Sequence, residues 1–234
     1  MISQYLRIKS QYPDSILFFR MGDFYEMFFE DAEVASKELD IALTSRNKGR
    51  KDSIPLCGVP HFTAETYISR LLQKGYKVAL CDQVEDPKQA KGIVKREVVR
   101  VFTPGLTMDS IHLGTGENNY LMGFCAEGEV FGLAFLEIST GELKACQISG
   151  FEPFLNEARR NEPKEILSFH RFQEHPCFAG FNKSFENVLT NFLEDSKFDS
   201  FHPLNEAHRD SIPSEFPLAA IATEMVLLYA EENQ

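Results

Sequence analysis

The chain has 234 residues, enough for one large domain or two ordinary ones, and 43% of them are hydrophobic, 21 of these Phe, so it can build a sizeable core. No run of eighteen apolar residues occurs, and the start, Met1-Ile2-Ser3-Gln4-Tyr5-Leu6-Arg7, lacks the basic head and apolar stretch of a secretory signal. The net charge is −11, but residues 1–116 carry 16 Lys+Arg against 15 Asp+Glu and residues 117–234 carry 8 against 20, so phosphate contacts are expected from the first half alone. Cys57, Cys81, Cys125, Cys146 and Cys177 are odd in number, widely spaced and without a C-x-x-C pair. They predict reduced thiols filling core in a cytoplasmic protein, with no disulfide framework and no zinc site.

In chain order, Ile2, Tyr5, Leu6 and Ile8 fit a short amphipathic helix over residues 2–12, ended by Pro13-Asp14-Ser15. Strands follow at about 16–21 and 24–28, with Gly22 free to turn the chain between them. In an extended segment Phe24 and Glu26 share one side and Tyr25 takes the other. An aromatic-rich strand is usually core, yet a ring and a carboxylate on one face beside a turn can also wedge and hydrogen-bond. Residues 30–40 read as a helix with acids in its first turn, and Ile41-Ala42-Leu43-Thr44 as a strand. Two basic runs come next: Arg46, Lys48, Arg50 and Lys51 in residues 44–51, and Lys88, Lys91, Lys95, Arg96 and Arg100 in residues 88–100. A solvated loop is the usual meaning of such a run; phosphate contact is the other.

Residues 54–61 are extended, Thr63 caps a helix whose apolar face is Tyr67, Ile68, Leu71 and Leu72, and Gly75 ends it. Strands are expected at 76–81 and 97–102, which makes residues 1–116 an α/β layer structure. The polar stretch 104–119 reads as a linker. Three short-linked strands, 120–126, 130–138 and 142–148, then form an antiparallel meander, followed by a helix at 151–160, a strand at 165–169 and a helix at 217–232. The region 171–216 gives no clear pattern.

The string Phe18-Phe19-Arg20-Met21-Gly22-Asp23-Phe24-Tyr25-Glu26-Met27-Phe28 closely resembles the mismatch-recognition segment of the MutS family of DNA mismatch-repair proteins. Residues 54–61, Asp82-Gln83-Val84-Glu85-Asp86-Pro87 and Val98–Gly105 resemble further signatures of that family in its order. The resemblance implies that Phe24 stacks into a duplex at a mispaired or unpaired base and that Glu26 hydrogen-bonds to it. Arg46, Lys48, Arg50, Lys51, Lys95 and Arg96 are the expected backbone contacts. Strand, helix and strand order over 117–234 fits an RNase H-like fold, which is that of the family's second, connector domain. Leu136-Glu137-Ile138-Ser139-Thr140-Gly141 sits where the family often has Leu-Asp-Ile-Ser-x-Gly, with Glu137 a departure.

The resemblance covers 1–150 well and 151–234 weakly. It implies a mismatch-recognition domain at 1–116 and a connector at 117–234, with mismatched double-stranded DNA and a MutL-type protein as partners. The full-length protein would be a homodimer and this chain a monomer. No G-x-x-x-x-G-K-[ST] occurs, so the family's ATP and Mg²⁺ are expected elsewhere than in this chain, which is read as a fragment without cofactor and without catalysis. Two other functions stand beside this one. A Mg²⁺-dependent nuclease of RNase H type needs convergent carboxylates, for which Glu137, Glu142 and Glu165 are the available acids. A pure docking module would use the acidic second half. The six His have no metal-ligand spacing.

Overall fold

The computed structural model describes residues 1–46, 53–85, 92, 94–106, 118–200 and 215–233. It is α/β and divides into two compact units, Met1–Thr103 and Pro104–Gln234. The stretch expected to be a linker begins inside the second unit. Pro104–Leu106 is a buried 3₁₀ turn, and the Gly105 N–H donates to the buried carboxylate of Glu165 at 2.9 Å.

The first unit opens with α1 (Ile2–Lys9), β1 (Ser15–Met21), β2 (Phe24–Phe28) and α2 (Phe29–Leu39). It continues with β3 (Thr44–Arg46), β4 (Ile54–Pro60), α3 (Ala64–Gln73), β5 (Lys77–Gln83) and β6 (Arg96–Phe102). The six strands form one sheet in the order β3-β4-β2-β1-β5-β6, in which only β1 and β5 run parallel. One face is covered by α2 and α3, which pack Ala32, Ala35, Leu39, Ile68 and Leu71 on Phe18, Tyr25, Met27 and Val59. The other face is covered by α1, whose Tyr5 and Ile8 pack on Leu17, Phe19, Phe28, Ala79 and Cys81.

Two local expectations are corrected. The strand expected at 41–44 is displaced to Thr44–Arg46 because Asp40 takes a left-handed φ of 55° and the Ile41 N–H donates back to the Ser36 carbonyl, closing α2. Thr63 precedes α3 as expected, but its hydroxyl donates back to the Pro60 carbonyl at 3.1 Å instead of capping the helix.

The second unit contains β7 (Tyr120–Glu127), β8 (Val130–Glu137), β9 (Glu142–Ser149), α4 (Phe151–Arg160) and β10 (Glu165–Phe169). It ends with α5 (Phe178–Ser184), β11 (Leu189–Leu193), α6 (Asp195–Ser200) and α7 (Pro217–Asn233). The sheet order is β11-β10-β7-β8-β9, an antiparallel meander extended by two strands parallel to β7, as the RNase H-like reading requires. Helix α7 lies on one face. It approaches so closely that a Cβ on Gly132 would stand 2.1 Å from the Leu218 carbonyl carbon, and one on Gly123 2.7 Å from Val226. The opposite face carries a Phe cluster of Phe124, Phe131, Phe154, Phe172 and Phe181. Among the described residues no helix is long and apolar enough to cross a membrane.

Candidate nucleic-acid interface

Strand β2 alternates as its sequence predicts. Tyr25 and Met27 point into the core, while Phe24 is 47% exposed and Glu26 half-buried on the other side. That other side is the face of α1, because Glu26 pairs in register with Phe19, and Phe19 and Phe28 both lie under the helix. Helix α1 is fixed over the Phe28 end. The Tyr5 hydroxyl donates to Asp31 at 2.6 Å, the Phe28 N–H donates to the Tyr5 oxygen at 3.4 Å, and Lys9 pairs with Asp31 at 2.8 Å. The cover stops short of the strand's start, so Phe24 and Glu26 stay open.

The turn before Phe24 contains only Gly22 and Asp23, since Met21 pairs with Phe24 across the hairpin. Gly22 has φ +59°, at the first of the two turn positions, where a side chain is strained. On the core side the Tyr25 hydroxyl donates to Asp82 at 2.9 Å and the Arg20 guanidinium lies over its ring at 5.3 Å. The strand that carries Phe24 is thus held by its buried neighbour.

Glu26 faces Gly58 across the β2–β4 ladder, so no side chain covers it from that strand. Burial pushes its carboxyl above the ordinary range, and the nearby Arg46 pulls it partly back. Arg46 is exposed on β3, paired with Ile54, and so shares the α1 face with Phe24, Glu26 and Gly58. The uncovered corner at the start of β2 therefore holds a ring and a carboxyl group with a raised pKa, while Arg46 is anchored at the Phe28 end of the same face, its guanidinium 3.9 Å from Met1 Sδ, and acts on Glu26 through its charge. Such a corner can place an apolar plate and a hydrogen-bonding edge against a planar, polar-rimmed group.

The remaining expected contacts separate. Lys95 is exposed before β6, at the opposite edge of the sheet from Arg46, in a surface pair with Glu97 at 2.6 Å. Arg96, expected to meet a DNA backbone, is only 6% exposed, which corrects that reading. Its guanidinium donates to the carbonyls of Arg20 at 2.7 Å and Val94 at 2.9 Å and lies over the Phe19 ring. It braces β6 against β1 and is not available to a phosphate. Lys48, Arg50 and Lys51 lie outside the described residues. Gly58 is the participant that sequence reasoning missed, because its relation to Glu26 exists only through strand register.

Of the three acids available for nuclease chemistry, Glu142 lies opposite Glu137 in the β8–β9 ladder, exposed and bonded to Tyr120 and Lys144, but Glu165 stands on the other face, so the three do not converge. Glu137 pairs with Tyr120 on the Phe-cluster face, whereas Glu165 pairs with Leu121 on the α7 face. Glu137 accepts from the N–H and hydroxyl groups of Ser139 and Thr140. Burial would raise its carboxyl pKa, but these four donors outweigh it and hold it below the ordinary range. Glu165 accepts from Gly105, from Asn191 at 2.7 Å and from the Tyr229 hydroxyl at 2.6 Å. Among the described residues no group of three His, Cys, Asp or Glu side chains is placed to hold a metal.

The two sheets and their helices define a two-domain α/β protein. The family model described as MutS domain I matches residues 1–110, and that of MutS domain II matches 119–234. The chain is 44% identical to the DNA mismatch repair protein MutS of Desulfatibacillum aliphaticivorans, over all of this chain and 27% of that protein. It is 49% identical to that of Alkaliphilus metalliredigens over 88% of this chain and 24% of the relative. Against that of Macrococcus caseolyticus identity is 55%, over 72% of this chain and 19% of the relative. The chain belongs to the MutS family. It spans about a quarter of the length of these curated relatives.

Proposed function

We propose that the chain recognises mispaired or unpaired bases in double-stranded DNA, with Phe24 as an aromatic wedge and Glu26 as the acceptor or donor that meets the displaced base. The observation that carries this reading is the uncovered start of β2, where a half-exposed Phe and a carboxyl group without a bonded partner among the described residues share one face. Inserting a side chain between base steps costs a few kcal/mol of unstacking per step. A mispair is already weakly stacked and easily bent, so the cost is smaller there and the site discriminates through deformability. The raised pKa of Glu26 serves the same end. A neutral carboxyl group can donate to a base and avoids repulsion from the backbone, whereas an ionised one is opposed by every nearby phosphate.

Arg46 and Lys95 are the described cations suited to phosphate, with Lys48, Arg50 and Lys51 adjoining Arg46 in sequence. The second unit takes the connector role, joining recognition to the ATPase machinery of the longer family members and offering its acidic surface to a MutL-type partner. On this reading the 234-residue chain is a cytoplasmic monomer that performs no catalysis and holds no ATP, while dimerisation belongs to the full-length protein. A low-salt fluorescence titration with a G·T heteroduplex and its matched homoduplex tests the wedge. The heteroduplex should bind more tightly, and Phe24→Ala should remove the difference. Unchanged preference in the variant rules the wedge out.

A further inference from the structure

Phe62 is 78% exposed, far beyond Phe24, and it stands at the same end of the sheet. Exposure of one Phe is not informative alone. Its placement is. The β2–β4 ladder ends with Phe24 opposite Pro60, and Phe62 is two residues past Pro60, in the 3₁₀ turn His61–Thr63. That turn is fastened on both sides. The His61 N–H donates to the Asp23 carbonyl at 2.9 Å and its Nδ1 lies 3.1 Å from the same oxygen, while the Thr63 hydroxyl closes on Pro60. Asp23 is the residue immediately before Phe24, so one carbonyl ties the Phe62 turn to the wedge turn. The His61 ring meets Phe62 edge-on with centroids 5.9 Å apart, steadying the exposed ring.

We propose that Phe62 is a second aromatic contact to the duplex, packing on a nucleotide beside the one engaged by Phe24. This inference rests on the wedge reading and adds to it a specificity-determining residue. A ring held out on a fixed turn loses little conformational freedom on binding, which is the condition under which apolar exposure becomes affinity. A wedge bends and opens the stack, and the exposed faces of neighbouring nucleotides are the natural partners of a flat apolar ring. The contact is uncharged, so it contributes affinity without changing the number of counterions released.

The test is the same titration of the 234-residue chain against G·T heteroduplex, repeated at several salt concentrations, with Phe62→Ala, Phe62→Tyr and Phe24→Ala. An exposed position tolerates each change, and circular dichroism checks the fold. Phe62→Ala should weaken heteroduplex binding about tenfold, the scale of one base–aromatic contact, with an unaltered salt slope. Phe62→Tyr should restore it. Binding by Phe62→Ala within twofold of the parent, with Phe24→Ala losing its preference, overturns the second contact and leaves the wedge standing. A tenfold loss in Phe62→Ala with Phe24→Ala unaffected would instead remove the wedge and keep Phe62 as the aromatic contact.

Discussion

Glu26 and Glu165 are both glutamates on central parts of their sheets, and their surroundings are opposite. Glu165 is fully buried and its oxygens are filled by a backbone N–H, an amide and a phenol from three separate segments. Glu26 is half-buried, faces a glycine, and gains from its surroundings only a burial penalty partly offset by Arg46. The first is structural because both its oxygens accept hydrogen bonds inside the fold. The second keeps that capacity open, beside an exposed ring on the same face. The same contrast separates Arg96, folded over Phe19 and bonded to backbone carbonyls, from Arg46, exposed at the sheet edge.

The largest effects should fall where the second unit is most closely packed. Gly132→Val pushes a side chain into the backbone of α7 and should lower stability by about 3 kcal/mol, read from urea denaturation. Glu165→Ala leaves three donors without their acceptor and should cost about 2–3 kcal/mol in the same measurement, with heteroduplex preference retained by the folded fraction. In the first unit, Gly22→Val forces a branched residue into a left-handed φ and should cost about 1–2 kcal/mol. A neutral result there would mean the turn is not held as described.

A smaller effect sharpens the comparison through pH. The raised carboxyl pKa of Glu26 makes its contribution to stability fullest below the ordinary carboxylate range and lost as pH rises through the folded value. Glu26→Gln should therefore match the parent in acid and be slightly more stable at neutral pH. Glu137 has the opposite sign: its lowered pKa gives stability that is present above the ordinary range and lost as pH falls through the folded value. Glu137→Gln should be less stable at neutral pH and approach the parent in acid. Thermal melts of both variants from acid to neutral pH check the crossed signs. The smallest effect is Phe24→Ala on stability, within about 0.5 kcal/mol because the ring is half-exposed.

Much of this was legible in the sequence, for identifiable reasons. Strand alternation placed Phe24 and Glu26 on one face and Tyr25 on the other, and the meander of β7, β8 and β9 followed from short turns between apolar runs. What escaped depends on tertiary partners. Arg96 reads as one more cation in a basic run until its guanidinium is seen over Phe19. Ile41 reads as strand until its N–H is seen closing α2. Gly58 and Phe62 gain meaning only from the β2–β4 register, which no periodicity encodes. The short elements α5, β11 and α6 lie in a region whose mixed Phe, Asn and Pro content matches no single period.

The central claim is that the start of β2 enters the stack at the lesion. The most direct measurement places a fluorescent adenine analogue beside a G·T mispair and follows its emission as the chain is added at low salt. Unstacking by the wedge should change the emission with the parent chain and with Glu26→Gln, and leave it unchanged with Phe24→Ala at equal occupancy. The same emission change with Phe24→Ala would contradict the account, because the stack would then be opened by something other than the ring at the start of β2.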